Sequence, residues 1–140
     1  MNMQRCSFVV FLFAFSGVFR APVASAEDRC SGAAVTEARS LDALPKQLRH
    51  LFPSSTTGVD GIADRGGRFN ATDVIVRDWP MRRFVLAAVG TTCAVVAIEY
   101  GGRAHGYELT EYRLATDGWK AGERRTSSSE PKSTKDLLIN

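Results

Sequence analysis

Arg83-Phe-Val-Leu-Ala-Ala-Val89, Gly90-Thr91 and Thr92-Cys-Ala-Val-Val-Ala-Ile-Glu-Tyr100 form the stretch that decides the fold. Two runs rich in apolar and β-branched residues flank a turn signal, the pattern of an antiparallel strand pair. Gly101-Gly102 follows and can supply the positive φ values of a two-residue hairpin turn. Arg103 to Ala115 continues as a long strand. Asp117-Gly118 marks another turn, and Trp119 to Arg124 returns as an edge strand. These segments predict an antiparallel meander of four strands.

The turns also predict a register. With Gly90-Thr91 as the turn, Val85 faces Val96; with Gly101-Gly102 as the turn, Ile98 faces His105. Paired residues share a face and each strand alternates. One face then collects Val85, Ala87, Val89, Ala94, Val96, Ile98, His105, Tyr107 and Leu109. The other collects Phe84, Leu86, Ala88, Cys93, Val95, Ala97, Glu99, Glu108 and Thr110. Central strands that are apolar on both faces need two covers. A slip of one residue would exchange the faces.

Upstream, Leu41, Leu44, Leu48, Leu51 and Phe52 recur at helical spacing between Ser40 and Pro53. They predict one short amphipathic helix, beginning at Leu41 or with Pro45 in its first turn and stopped by Pro53. It should pack on the first face. Residues 53–67 are rich in Ser, Thr, Gly and Asp, with a weak strand over Gly58 to Ala63; Phe69 to Val76 is a second weak strand and Arg77 to Pro80 a loop. The fold class is α+β: one short helix packed on an antiparallel meander sheet of four to six strands, in a single domain over residues 40–126. An N-terminal arm at 27–39 precedes it and a polar C-terminal tail at 127–140 follows.

The first 26 residues read as a secretory signal peptide. Arg5 gives the positive start, and Ser7 to Phe19 is a run of 13 uncharged residues. Arg20 and Pro22 break it, and Ala24-Ser-Ala26 offers small residues for cleavage. A membrane span needs about 20 apolar residues, so the run is too short to be one. The expected location is outside the cytoplasm, periplasmic or secreted, with no membrane attachment after cleavage. Removing the segment takes two of the 18 basic side chains and no acid, leaving 16 against 15. Such a balance gives no field to steer nucleic acid or anionic lipid. It leaves two cysteines, Cys30 and Cys93, an even count that in an oxidising compartment predicts a disulfide. The bridge would close a loop with 62 intervening residues, worth about 4 kcal/mol in the chain-entropy model.

Candidate chemistry is sparse. No G-x-S-x-G elbow, phosphate-binding glycine loop, reactive-cysteine signature or HExxH spacing is present. His50 sits near the helix end, where a cation suits the dipole. His105, in the predicted register, neighbours Ile98 and Tyr107 while Glu99 and Glu108 point away. Asp60, Asp64 and Asp73 read as turn formers without calcium-loop spacing. Arg65-Gly66-Gly67-Arg68 can form an anion-binding nest. Asn70-Ala-Thr72 matches the glycan acceptor pattern. The second sheet face, with Phe84, Leu86 and Val95, together with Trp79 and Tyr112, offers a binding surface of the apolar and aromatic kind that anchors interfaces.

These features predict an exported, non-enzymatic binding module acting on another protein, of an inhibitor or immunity type, with no metal, no cofactor and no nucleic-acid partner. One alternative is a small hydrolase or lyase using His105 with a carboxylate from the glycine-rich segment, such as Asp64, within hydrogen-bond reach. Another is a small-ligand carrier with its cavity between helix and sheet.

Overall fold

The structure, a computed structural model, describes Cys30 and residues 32–138. The signal segment read in residues 1–26 lies outside the described residues. Five strands make up one antiparallel sheet: β1 Thr36–Ala38, β2 Arg82–Val89, β3 Cys93–Tyr100, β4 Gly106–Ala115 and β5 Gly118–Ser127. They lie in the order of the sequence. The α+β meander is therefore the fold, and the arm adds β1 to it by pairing Thr36 with Val89 and Ala38 with Ala87.

The register differs from the one predicted. In the first hairpin Val89 pairs with Ala94 and Ala87 with Val96, and an extra residue, Val85, bulges out between Phe84 and Leu86. Phe84 thus shares a face with Ile98, while Val85 joins Leu86 on the opposite side. In the second hairpin Tyr100 pairs with Gly106 and Ile98 with Glu108. The connection is the five residues Gly101 to His105 rather than two. That length changes the parity of the pairing, so Tyr107 and Leu109 lie on the second face, opposite to the prediction.

The helix is also shorter than its leucine pattern. A 3-10 turn over Leu41–Ala43 is capped by the Ser40 hydroxyl, and α1 spans only Lys46–Arg49. Leu44 between them is extended (φ −72°, ψ 149°), because the residue before a proline is kept out of the helical region. Pro45 is the N-cap instead of a first-turn residue. Three of the four leucines are buried all the same: Leu41, Leu44 and Leu48, together with Ile62, cover Phe84, Ala87, Val96 and Ile98, with Phe52 at the margin, while Leu51 is exposed. The two weak strands over 58–63 and 69–76 do not form. Only Ala63 makes a bridge, to Arg83.

The second face is covered as well. Cys30 and Val35 of the arm, with Leu137 and Leu138, pack on Val85, Leu86, Ala88, Val95, Ala97 and Leu109. The Cys30–Cys93 disulfide is formed and fastens the arm to the start of β3. The C-terminal tail docks through α2, Thr134–Leu138. Asp136 caps its start, accepting from the backbone N–H of Lys132 at 2.8 Å and of Ser133 at 2.9 Å. Glu37 accepts from Thr134 N–H at 3.3 Å, and Arg125 donates to the Leu137 carbonyl. Among the described residues no helix is long and apolar enough to cross a membrane.

Candidate interaction surface

Six large apolar side chains are exposed among the described residues: Leu51, Val59, Val74, Ile75, Val76 and Leu114. Four of them sit on two segments that are tied together. Residues 71–78 form an exposed loop leading into β2. Its end is joined to the segment carrying Val59: Gly58 N–H donates to Asp78 O at 2.9 Å and Met81 N–H to Val59 O at 3.3 Å.

Asn70 holds this loop from inside. The residue is 2% exposed. Its side-chain Nδ2 donates to Val76 O at 3.0 Å and to Trp79 O at 2.7 Å, and its Oδ1 accepts from Val76 N–H at 2.8 Å. Its own N–H donates to Pro80 O at 2.8 Å, closing the stem, and Trp79 N–H donates to Val76 O at 3.0 Å. Both amide hydrogens are in use. The Asn70-Ala-Thr72 acceptor nitrogen is therefore unavailable for modification in the folded chain. The result is a loop fixed at its base whose most exposed large apolar side chain is Val74, 72% accessible, followed by Ile75 at 47%.

Beneath the base lies a charged network. Arg83 stacks over the Phe69 ring at 4.3 Å, donates to Gly67 O at 3.3 Å, and reaches Glu99 Oε2 from Nε at 3.0 Å and Nη2 at 2.5 Å. His105 Nε2 is 2.7 Å from the other oxygen of Glu99. Glu99 is buried, so its charge is matched by hydrogen-bonded partners on both oxygens, as a desolvated carboxylate requires. The prediction that Glu99 points away from His105 is overturned: the five-residue connection places His105 beside it. Tyr107 stands next to the pair, its ring edge-on to His105. Burial raises the Tyr107 phenol above its ordinary pKa, and the nearby Glu99 and Glu130 carboxylates push the same way.

The residues expected to form a binding surface fare differently. Phe84 and Leu86 are 0% exposed, and Val95 is buried with them. They are core, because the bulge turns Phe84 towards the helix side and the arm and α2 cover Leu86 and Val95. Tyr112 is half-buried and packs edge-on against Phe52, ring centroids 5.7 Å apart. Burial raises its phenol pKa too. Trp79 is half-buried at the foot of the loop, with the Arg68 guanidinium 5.8 Å from its ring.

The Arg65-Gly66-Gly67-Arg68 nest does not assemble. Arg65 N–H donates to the Asp64 carboxylate at 2.7 Å and Gly67 N–H to Asp64 O at 2.9 Å, which makes an internal turn. The two arginines diverge, Arg65 to Val85 O at 3.2 Å and Arg68 to Trp79. Asp64 itself accepts from Leu41 N–H at 3.0 Å, tying the 3-10 turn to this segment. It is a structural acceptor, and the carboxylate paired with His105 is Glu99. Among the described residues no three His, Cys, Asp or Glu side chains gather as a metal site. The remaining exposed apolar pair, Leu51 and Leu114, flanks an open groove of about 650 Å³ with Trp119 in its lining.

No protein-family model, curated protein or solved structure matches the chain. The surfaces themselves carry the functional argument.

Proposed function

We propose that this protein is an exported, non-enzymatic binding module that engages another protein through the loop 71–78 and Val59, in an inhibitor or immunity-type role. One observation carries the reading: three of the six exposed large apolar side chains among the described residues lie on a loop whose base is pinned by a buried asparagine, and a fourth, Val59, lies on the segment hydrogen-bonded to the end of that loop. Scattered exposed apolar residues are ordinary, whereas a group of them marks an interaction site. Fixing the loop in advance lowers the ordering cost of association. The disulfide and the short apolar opening of the sequence support the export part of the proposal.

Affinity capture with the oxidised chain tests it. A stoichiometric protein partner should be retained, and the double variant V74D/I75D should release it while its circular dichroism stays that of the parent. Equal retention by the variant would remove the loop from consideration. Phe84→Asp, the substitution the sequence alone would favour, is no surface test, since it would bury a charge in the core.

A second reading rests on the Glu99–His105 pair. A buried carboxylate at 2.7 Å orients an exposed imidazole, the arrangement a general base uses. In a hydrolase built on it the imidazole would deprotonate a water molecule that attacks the substrate; in a lyase it would remove a substrate proton as the leaving group departs. Activity lost in His105→Ala but kept in V74D/I75D would favour either over the binding module.

A further inference from the structure

We propose that residues 73–77 form a substrate-like plug for the active-site cleft of an endopeptidase whose primary pocket accepts a β-branched aliphatic side chain, with Val74 as the anchor. The proposal rests on the binding-module reading and names its partner class. Three observations lead to it.

The first is the state of the main chain. Val74 N–H donates to Thr72 Oγ1, and Val76 uses both its N–H and its C=O on Asn70. Asp73 and Ile75 make no main-chain hydrogen bond among the described residues. Their N–H and C=O groups are displayed alongside the exposed side chains of Val74 and Ile75. A cleft that binds peptides recognises this combination: main-chain hydrogen bonds give affinity and pockets for particular side chains give specificity.

The second is preorganisation. An ordinary peptide substrate must lose its backbone freedom on entering a cleft, at roughly 1–2 kcal/mol per residue. This loop has lost much of it already, since Asn70 joins residue 70 to residues 76 and 79 and the 58–59 segment fastens its far end. Such a loop binds like a substrate and stays in place like a piece of folded protein.

The third concerns charge. Asp73 and Asp78 flank the apolar triplet, with Arg77 between Val76 and Asp78. A loop that inserts into an anionic bilayer is surrounded by basic residues. Carboxylates on both sides of Val74-Ile-Val76 disfavour that surface and fit the mixed rim of a protein cleft.

The test measures hydrolysis of chromogenic peptides by pancreatic elastase and by thermolysin, two enzymes that take aliphatic side chains, with trypsin for comparison. Saturable, stoichiometric inhibition of elastase or thermolysin is expected. V74D should weaken it about 30-fold, a loss of hot-spot size, and Asn70→Ala should loosen the loop so that the same enzyme cuts within residues 71–78. The proposal is overturned if the intact chain in excess inhibits neither enzyme, if V74D inhibits as well as the parent, or if trypsin alone is inhibited through Arg77. If inhibition is absent while capture of a partner still depends on Val74 and Ile75, the binding module stands and the peptidase falls. If both are absent, both fall.

Discussion

At Gly101 the connection after β3 meets the base of the exposed loop. A Cβ built there would lie 1.7 Å from the Asn70 carbonyl oxygen and 2.6 Å from its carbon. These are backbone atoms of a pinned residue, so they cannot move aside. Gly101→Ala should therefore cost about 3 kcal/mol, the upper range for overpacking, and disturb the loop. Gly118→Ala provides the comparison: its φ of +115° strains any other residue, but nothing lies within 4 Å of the added methyl. It should cost about 1–2 kcal/mol and leave the loop untouched. Urea midpoints and amide exchange of residues 71–78 separate the two; equal effects on the loop would show that Gly101 matters for conformation alone. The sequence marks Gly101-Gly102 as a turn, yet only Gly102 has positive φ, and Gly101 is needed for room. Asn70 was illegible for a related reason. Its partners are backbone groups six and nine residues away, and backbone groups leave no trace in residue identity. The Glu99–His105 contact was hidden because it depends on the parity of the pairing between β3 and β4.

The strands were legible as elements because their apolar runs are long and punctuated by glycine-containing turns. Their register was not. Both hairpins have glycines at their ends, but glycine shows where a turn can lie and not how many residues it holds, and nothing in Phe84-Val-Leu86 tells which residue will bulge. The leucine spacing gave a buried face at Leu41, Leu44 and Leu48 but not at Leu51, which is exposed, and Pro45 divided the helix that the spacing implied. The C-terminal element was hidden by its polar surroundings, since only Leu137 and Leu138 pack inward. Its docking should depend on pH through Asp136. Hydrogen bonds from Lys132 and Ser133 lower the pKa of this carboxyl below the ordinary value. A lowered folded-state pKa stabilises above the unfolded value, about 4, and the contribution is lost as pH falls through the folded one. Amide protection over 133–138 should drop in acid. D136N should show weakened protection already at neutral pH and a flatter response. An unchanged acid response in D136N would assign the effect to another group.

At the scale of the molecule, a single sheet is held between two unlike covers. One is continuous with the strands through α1 and the segment after it; the other is assembled from the two ends of the described chain, joined through the disulfide, Glu37 and Arg125. Breaking the bridge should therefore act on one side first. Cys30→Ser with Cys93→Ser should cost about 4 kcal/mol on the chain-entropy estimate, with exchange rising over 32–38 and 134–138 before β2 to β4 respond. Uniform loosening of the sheet would contradict that order. Two covers also explain why the sticky wall expected from sequence is absent: the apolar second face exists, but the chain closes it, and display passes to the loop. The bulge at Val85 bears on how this chain can change in length. Phe84 pairs with Ile98 and Leu86 with Ala97, so losing Val85 would leave a regular ladder with every other side chain facing as before. Losing a residue elsewhere in β2, at Ala88 for instance, would turn part of the strand inside out. The gene therefore has a codon in β2 whose deletion keeps the remaining side chains on their own faces, although it removes a buried valine and the carbonyl that Arg65 uses.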